Sequence, residues 1–518
     1  MVTLRKVITG LLALGETELK KATDEMDSDN LVSLLSARGI EVRGSLDGEV
    51  TGVFYDSRQA GPGGIFVCIP GLQADGHDFA AKAVERGAVA LVVERFLDLP
   101  VSQVKVKDSR SILGHLAAFL WDWPAGKLRV CGVTGTNGKT SVTHLIEHIL
   151  ARSGRTVGLI GTLGARIGEA EFPGSRTTPE ASDLQELLAE MVRRGAGYAV
   201  MEVSSHALDL HRVAGCEYDA AVFTNLTQDH LDYHKSMEQY LTAKGKLFQC
   251  LGQGGRKTGR KYAVINADDA AAEQLKAWTG VNSVTYGLRS EADYRAINVD
   301  NHPSGVEFDV QFPGGQVQLK LKTPGMFTVY NALASFAVGM QEGLEPEFIS
   351  SALAEVKGVP GRFELVEGKQ PFSVIVDYAH TPDSLENVLN TAREFARGKL
   401  ITVFGCGGDR DRSKRPVMGE IAARLSDLAV LTSDNPRSED PMAIIRDVKQ
   451  GMDRVTRGYL TESDRHQAIM LACSKAASGD IVLIAGKGHE DYQEINGNKL
   501  PFDDRAVAKE CLGRLGWY

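Results

Sequence analysis

The chain has little of what marks a secreted, nucleic-acid-binding or membrane-spanning protein. It carries 7 cysteines in 518 residues. That odd number has no C-x-x-C spacing, which excludes a disulfide framework and reads as reduced cytosolic thiols. Lys and Arg number 58 against 67 Asp and Glu, a net charge of −9. Without a basic excess, binding that relies on neutralising nucleic-acid phosphates is excluded. No apolar run approaches a membrane-spanning length, so no membrane insertion is expected. Met1 to Leu14 imitates a secretory leader, with Arg5 and Lys6 beside a short apolar run. Gly10 and Glu16 interrupt it and no small-residue cleavage site follows, so a cytoplasmic protein is expected. Tandem repeats, low-complexity segments and a guanine-specifying Asn-Lys-x-Asp motif are all missing, and the last absence argues against a GTPase switch. At 43% hydrophobic and 24% charged residues, the composition excludes disorder.

What the chain does have is length and alternation. It is too long for a single core, and an α/β architecture of three domains is expected. Gly/Pro punctuation and pattern changes divide it into residues 1–126, 127–357 and 358–518. In the first part, strand-like runs at Gly64–Ile69 and Val89–Val93 surround a helical pattern at Phe79–Arg86, and Trp121–Gly126 reads as the exit. The second part alternates strands (Thr156–Gly161, Tyr198–Val203, Ala220–Asn225, Tyr262–Asn266) with helices (Ala181–Arg194, Met237–Leu251). From Arg295 to Lys322, Pro-Gly turns and period-two alternation predict an antiparallel flap. In the third part, strands at Ser373–Val376, Leu400–Phe404, Leu428–Thr432 and Ile481–Ala485 are separated by helical segments. That pattern predicts a parallel sheet with helices on both faces.

The most specific local signal is Gly135-Thr136-Asn137-Gly138-Lys139-Thr140. It follows the apolar run Leu128–Val133 and precedes a helical pattern, Ser141–Leu150. A strand, a Gly-rich turn, Lys-Thr and a helix together build a phosphate cradle. Backbone N–H groups and the positive helix end face the phosphates, the lysine neutralises them, and the threonine hydroxyl can hold Mg²⁺. The strict G-x-x-x-x-G-K-[ST] pattern fails because Val133 stands at its first glycine; the bland alternative is a turn that merely starts a helix. A phosphate loop needs carboxylate help with Mg²⁺ from a neighbouring strand end. Glu202 fits, ending the run Tyr198–Met201. The strand Ala221–Phe223 runs into Asp229-His230-Leu231-Asp232-Tyr233-His234, where two histidines and two aspartates suit a metal or phosphate site or simply a solvated turn. His144-Leu145-Ile146-Glu147-His148 matches the inverted zinc-protease pattern. Its helix already serves the phosphate loop, so the match is read as accidental.

In the third part each strand's carboxyl end carries a decorated loop: Asp377–Asp383, Gly405–Arg412, Ser433–Arg437 and Gly486–Glu490. Open α/β sheets bind ligands there. The loops mix arginines with acids, which suits a ligand bearing both ammonium and carboxylate groups. Charged turn tips would explain one such loop easily and four poorly.

These motifs, taken in order, resemble the Mur ligase family of peptidoglycan synthesis. The likeness runs from about Tyr55 to Asp504 and rests on Gly135–Thr140, Met201–His206, Asp229–His234, Asp377–Pro382 and Asp434–Arg437; the residues before about Ile40 carry no match. It implies a central P-loop ATPase domain with a parallel sheet, flanked by an N-terminal UDP-sugar-binding α/β domain and a C-terminal Rossmann-like domain that binds the amino acid. It further implies ATP contacts at Gly135, Thr136, Asn137, Gly138, Lys139, Thr140, Ser141, Asn331, Arg362 and Asp377. Mg²⁺ ligands are implied at Thr140, Glu202, His230 and Lys244, with Lys244 as N6-carboxylysine and with Lys139, Lys244 and His230 as the catalytic set. Ser57, Leu72, Gln73 and Ala74 would hold the nucleotide-sugar, and Thr177, Thr178, Ser204 and Arg212 its sugar-peptide side. Leu210 departs from the family, which often has a polar amide there. Arg410, Asp434, Asn435, Pro436, Arg437, Gly486 and Glu490 match an amino-acid pocket, with Arg437 suited to the second carboxylate of diaminopimelate.

The implied reaction adds meso-2,6-diaminopimelate to the D-Glu γ-carboxylate of UDP-N-acetylmuramoyl-L-Ala-D-Glu through an acyl phosphate. The expected partners are those small molecules and ATP, acting on a monomer. An L-lysine-adding relative and a folylpolyglutamate synthase-like ligase are the alternatives.

Overall fold

A computed structural model describes residues 2–12, 34–71, 74–174, 176–253, 255–302, 304–456 and 458–517. The fold is mixed α/β and is built on three main sheets. Residues Leu72 and Gln73 lie outside the described residues.

The first sheet has five strands in the order Glu41–Arg43, Ser102–Lys105, Ala88–Val93, Gly64–Val67, Gly52–Phe54. All pair in parallel except Glu41–Arg43, which is antiparallel to its neighbour. Helix Ser109–Leu120 covers one face; the Asp108 side chain caps it by accepting from the backbone N–H groups of Arg110 and Ser111. The helix expected at 79–86 starts instead as a 3-10 turn, Gly76–Phe79, capped by Asp75, and becomes α-helical only over Ala80–Glu85. The chain leaves the strand expected to reach Ile69 at Val67, because Ile69 already turns to pair its carbonyl with the Gly76 N–H.

The second sheet has eleven strands, with Arg129–Thr134 in its interior between Tyr198–Glu202 and Ala220–Phe223. The segment expected to form a flap does not stand apart. Tyr294–His302, Gly305–Phe312 and Gly315–Leu321 pair antiparallel and extend the main sheet, joined to it where Tyr286 pairs in parallel with Tyr294. The alternation explains this outcome. Val306, Phe308 and Val310 project to one face and are buried with Val329 and Phe336 of helix Met326–Gln341. A free flap would leave that face in water.

The third sheet runs Glu364–Leu365, Ser373–Asp377, Ile481–Ala485, Leu400–Phe404, Leu428–Leu431, Leu460–Thr461. It is parallel except at its first strand. Helices Pro382–Phe395, Lys414–Leu425 and Pro441–Met452 pack on one face, and Arg465–Lys475 and Asp504–Arg514 on the other. The carboxyl ends of four neighbouring strands therefore open on one edge, above Asp377, Ala485, Phe404 and Leu431. Among the described residues no helix is long and apolar enough to cross a membrane.

Two arginines are fully buried in this third unit. Arg465 forms a bidentate pair with Asp504, at 2.8 and 2.7 Å. Arg415 donates to both oxygens of Glu439, at 2.8 and 3.1 Å, and to Asp447 at 2.9 Å. The Arg415 hydrogen bonds hold the Glu439 carboxyl at about 2, down from 4.5. A carboxylate lowered in the folded state stabilises above its unfolded value and loses that contribution as pH falls through its folded value. The urea midpoint of the wild type is therefore expected to drop toward that of Glu439→Gln between about pH 5 and pH 2. A gap between the two proteins that stays constant over that window would contradict the assignment.

Candidate active site

Strand Arg129–Thr134 ends where the backbone turns through Gly135, at φ +147°, and Gly138, at φ +85°, into helix Lys139–Arg152. Neither glycine has room for a side chain: a Cβ would stand 1.8 Å from Thr224 Oγ1 at Gly135 and 2.6 Å from Asn331 Oδ1 at Gly138. Val133 is an interior strand residue paired with Glu202, so the turn begins later than the strict motif requires. Asn225 Oδ1 accepts from the Asn137 N–H at 2.9 Å, and the Thr224 hydroxyl donates to the Asn137 carbonyl at 2.6 Å, which holds the loop from the next strand's end. Lys139 Nζ lies against the loop, donating to the carbonyls of Gly135 and Thr136 at 3.0 and 2.8 Å. Ser141, in the helix's first turn, faces a cavity of about 500 Å³.

That cavity runs from Asn137, Gly138 and Thr140 to Asn331, Tyr330, Asp268 and Arg289, and is roofed by Arg362, Asp377 and Asp383 of the third unit. At one end sits a fixed acceptor. Asp268 receives the Tyr330 hydroxyl at 2.8 Å and the backbone N–H groups of Leu288, Arg289 and Ser290, which hold its carboxyl far below the usual range. At the other end the third unit reaches the phosphate loop directly. Asp383 Oδ2 accepts from Asn137 Nδ2 at 2.6 Å and from the Thr227 hydroxyl at 3.1 Å, while Arg362 Nη2 donates to Thr140 Oγ1 at 3.0 Å. Arg362 Nε is buried and has no hydrogen-bond partner among the described residues, and the guanidinium lies 4.6 Å above the Tyr378 ring. Burial raises the Asp377 carboxyl, against the pull of Arg362.

The Thr140 hydroxyl donates to Glu202 Oε2 at 3.0 Å. Glu202 is fully buried, and its carboxylate also accepts from the Thr162 N–H at 2.8 Å and hydroxyl at 3.1 Å. A hydroxyl and a carboxylate beside a phosphate cradle are the hard oxygen donors that Mg²⁺ prefers. Among the described residues no group of three or more His, Cys, Asp or Glu is placed to hold a metal. An ion here would draw on Thr140, Glu202 and ligand oxygens. Lys244, buried in helix Met237–Gly252, donates to the Gly135 carbonyl at 2.7 Å and stands 4.3 Å from the centre of the Tyr240 ring. Burial, reinforced by Lys139, pushes its amine well below the ordinary lysine value. His230, at φ 56°, lies 4.7 Å from His206 and 6.1 Å from Tyr240, ring centre to ring centre. Burial lowers its pKa against the attraction of Asp229. The zinc-protease-like match is occupied elsewhere: His144 bonds the Thr140 carbonyl and Glu147 pairs with Arg166 at 2.8 Å.

The residues expected to face the sugar-peptide converge less tightly. Thr178 donates to the Glu202 carbonyl at 2.9 Å and to Ser204 at 3.4 Å, and the Thr162 hydroxyl donates to Thr177 at 3.2 Å. Arg212 pairs with Glu180 at 2.9 Å, which Arg176 also engages. Beside them a second cavity, about 610 Å³, opens between Phe54, Tyr55 and Gln59 of the first unit and Arg176, Glu180 and Asp183 of the second. Ser57 is buried near it and Ala74 is exposed on a loop of the first unit.

In the third unit Asn435 lies between two partners, donating from Nδ2 to Glu490 at 2.8 Å and accepting at Oδ1 from Lys487 at 3.0 Å. Lys487, fully buried, also reaches Glu490 at 3.0 Å. Asp434 Oδ2 would touch any Cβ at Gly486, which sits at φ +123°, and Pro436 O would touch one at Gly408. Arg437 and Arg410 flank Gly407, whose added Cβ would lie 3.0 Å from Arg437 Nη1 and 3.9 Å from Arg410 Cγ. Arg410 is exposed and caps only its own neighbour's carbonyl. A path of contacts joins this pocket to the phosphate loop: the ring of His489 lies 5.0 Å from Tyr378, which lies under Arg362, which bonds Thr140.

Family comparison agrees with this layout. The Mur ligase catalytic domain matches residues 49–120, the Mur ligase middle domain 133–339, and the Mur ligase glutamate ligase domain 361–488. The chain belongs to the Mur ligase family. A relative from Geobacillus thermodenitrificans, a UDP-N-acetylmuramoyl-L-alanyl-D-glutamate–2,6-diaminopimelate ligase, is 49% identical over 464 residues, covering 90% of this chain and 95% of its own. A solved ligase of the same name is 35% identical with a TM-score of 0.66, over 93% of this chain and 99% of its own. The MurF ligase from Thermotoga maritima, solved with ADP, shares the fold at 20% identity and a TM-score of 0.62, over 90% of this chain and 97% of its own.

Sequence reasoning passed over several residues of this Mur ligase's site. Thr162 and Asp268 stand in turns at the carboxyl ends of sheet strands, where a strand-end search would have found them. Asp383 and Lys487 stood inside loops already singled out but carried no assigned role. Glu494, which pairs with Arg437 at 3.2 Å, gave no signal at all, because it acts from a hairpin beyond the motifs. Lys139→Ala is expected to lower ATP-dependent turnover by roughly a thousandfold while far-UV circular dichroism is unchanged. An active variant would remove Lys139 from the chemistry.

Proposed function

We infer that this Mur ligase joins meso-2,6-diaminopimelate to the D-Glu γ-carboxylate of UDP-N-acetylmuramoyl-L-Ala-D-Glu, with cleavage of ATP to ADP and phosphate, in peptidoglycan precursor synthesis. The observation that carries the reading is the contact path from the phosphate loop, through Arg362, Tyr378 and His489, to the strand-end loops that carry Glu490, its partner Asn435 and Arg437. Relatives bearing the name of that ligase support it at 49% identity.

The chemistry follows in two steps. The γ-carboxylate oxygen attacks the γ-phosphorus, the bond to the β-phosphate oxygen breaks, and ADP leaves. The free amine of diaminopimelate then attacks the acyl carbon, the carbon–oxygen bond breaks, the nitrogen gives up one proton as it becomes an amide, and inorganic phosphate leaves carrying that proton. In the first step, Lys139 and the backbone N–H groups of the loop bear the charge that spreads over the transferred phosphoryl group. Arg362, with its unpartnered Nε, reaches the same group from the third unit. Asn331 and Asp377 line the nucleotide's cavity, and closure over it excludes water that would hydrolyse the acyl phosphate. In the second step, Glu490 holds the incoming ammonium-bearing end, Asn435 fixes Glu490 in place, and Arg437 grips the distal carboxylate that lysine lacks.

Thr140 and Glu202 fit Mg²⁺ as hard oxygen donors, whereas the ligand role that family resemblance implies for His230 has no contact to either of them behind it. Bound there, the ion would neutralise phosphate charge. Lys244 fits carbamylation, since burial favours the neutral amine that CO₂ requires. The product, N6-carboxylysine, would turn a buried donor into an oxygen ligand beside the loop. Ser57, Ala74, Thr177, Thr178, Ser204 and Arg212 are assigned to the UDP-sugar peptide, and the three units to residues 1–126, 127–357 and 358–518. The protein is assigned to the cytoplasm as a monomer, consistent with seven free cysteines.

Phosphate release measured with the UDP-sugar dipeptide, in the presence of meso-diaminopimelate, L-lysine or no amino acid, tests the reading. Release together with a tripeptide mass is expected only with diaminopimelate. Product formed with lysine alone would overturn the role of Arg437, and release independent of any amino acid would overturn the ligase assignment.

A further inference from the structure

The loop Asp434–Arg437 is held in part from outside the main sheet. Arg437 sits at φ 53°, a left-handed conformation that a long side chain adopts at a cost of about 1 kcal/mol or more. A two-stranded hairpin, Tyr492–Ile495 with Asn498–Pro501, holds it there from outside the main sheet. The Arg437 N–H donates to the Glu494 carbonyl at 3.0 Å, and the Asn496 N–H donates to the Arg437 carbonyl at 2.7 Å. Gln493 Nε2 donates to the Asp434 carbonyl at 2.6 Å, and the Glu494 N–H donates to Asn435 Oδ1 at 2.9 Å.

The side chains repeat the arrangement. Glu494 Oε2 lies 3.2 Å from Arg437 Nε, and Arg437 Nη1 donates to the Gly408 carbonyl at 2.7 Å. The Gly408 carbonyl holds one corner of the guanidinium by a hydrogen bond and the Glu494 carboxylate attracts the opposite edge as an ion pair, which leaves the rest of the five-donor fork for a ligand. Arg437 is only 20% exposed and Glu494 27%. The pair is thus neither a freely solvated surface contact nor one sealed from a ligand.

We propose that Glu494 is a positioning residue for amino-acid specificity: from the hairpin it aims the Arg437 fork at the distal carboxylate of a diamino-dicarboxylic acid. The inference rests on the pocket assignment under Proposed function. Glu494 touches neither ATP's cavity nor the phosphate loop, so its effect falls on one substrate. It also falls on one end of that substrate, because an amino acid without the second carboxylate has nothing for Arg437 to grip.

The test compares wild type, Glu494→Gln and Glu494→Ala by steady-state kinetics with meso-diaminopimelate, L-lysine and ATP varied in turn. Glu494→Ala is expected to raise the KM for diaminopimelate by about tenfold, with kcat at saturation and the KM for ATP unchanged and lysine still giving no product. Glu494→Gln keeps an acceptor without the charge and should fall between the two, a graded rescue that a merely structural role would not give. An unchanged diaminopimelate KM in both variants would overturn the proposal. So would an equal rise in the KM for ATP, or a lowered kcat accompanied by a lowered melting temperature, since these report a collapsed hairpin. A wild type indifferent to diaminopimelate would instead overturn the pocket assignment itself, whatever Glu494 does.

Discussion

The structure depends on one buried carboxylate at the end of one strand facing the first helical turn that follows its neighbour. Glu202 and Val133 are partners in parallel register, so Glu202 and the phosphate loop leave the sheet side by side. With no exposure, the carboxylate must be satisfied where it stands, and Thr140 and Thr162 do so. Moving that register by one residue would turn Glu202 to the opposite face of the sheet and leave Thr140 without its partner. The glycines that cannot carry a Cβ, the lysine folded against the loop and the cavity beyond Asn331 are all organised around this pairing.

The second and third units are joined at the same place. Arg362 bonds the hydroxyl that bonds Glu202, and Asp383 bonds the loop asparagine and Thr227. The loops that carry Asn435 and Glu490 are then connected to the turn Gly135–Thr140 through a short run of packed groups. A ligase needs this arrangement, because an acyl phosphate formed at one end must meet an amine held at the other before water does. The doubly wound third sheet meets the geometric requirement simply: four strand ends open on one edge, and each delivers a loop.

Much of this was legible in the chain. The strand, the Gly-rich turn and the helix beginning at Lys139 stand in the order the chain suggested, and Glu202 does end an apolar strand. The four decorated loops were visible as breaks after apolar runs. Other features were not local. The alternation of residues 295–322 was read correctly as antiparallel, but its attachment to the main sheet depends on helix Met326–Gln341 covering Val306, Phe308 and Val310, a tertiary fact. Lys244 reads as an ordinary helical lysine until its burial is known, and only resemblance singled it out. Asp383 stood at the end of a loop singled out for its charges, but its contact with Asn137 and Thr227 joins two units and could not be read there. Glu494 acts through pairing with a loop 57 positions away, a separation that no window of sequence spans.

The central claim is that the carboxylate of the growing peptide is activated as an acyl phosphate at the loop Gly135–Thr140. It is tested most directly by following oxygen from that carboxylate. With the D-Glu γ-carboxylate of the UDP-sugar dipeptide labelled with ¹⁸O, mass spectrometry of the released phosphate should find one labelled oxygen for each amide bond formed. Unlabelled phosphate, with the label retained wholly in unreacted or product peptide, would contradict the acyl phosphate and with it the role assigned to the phosphate loop.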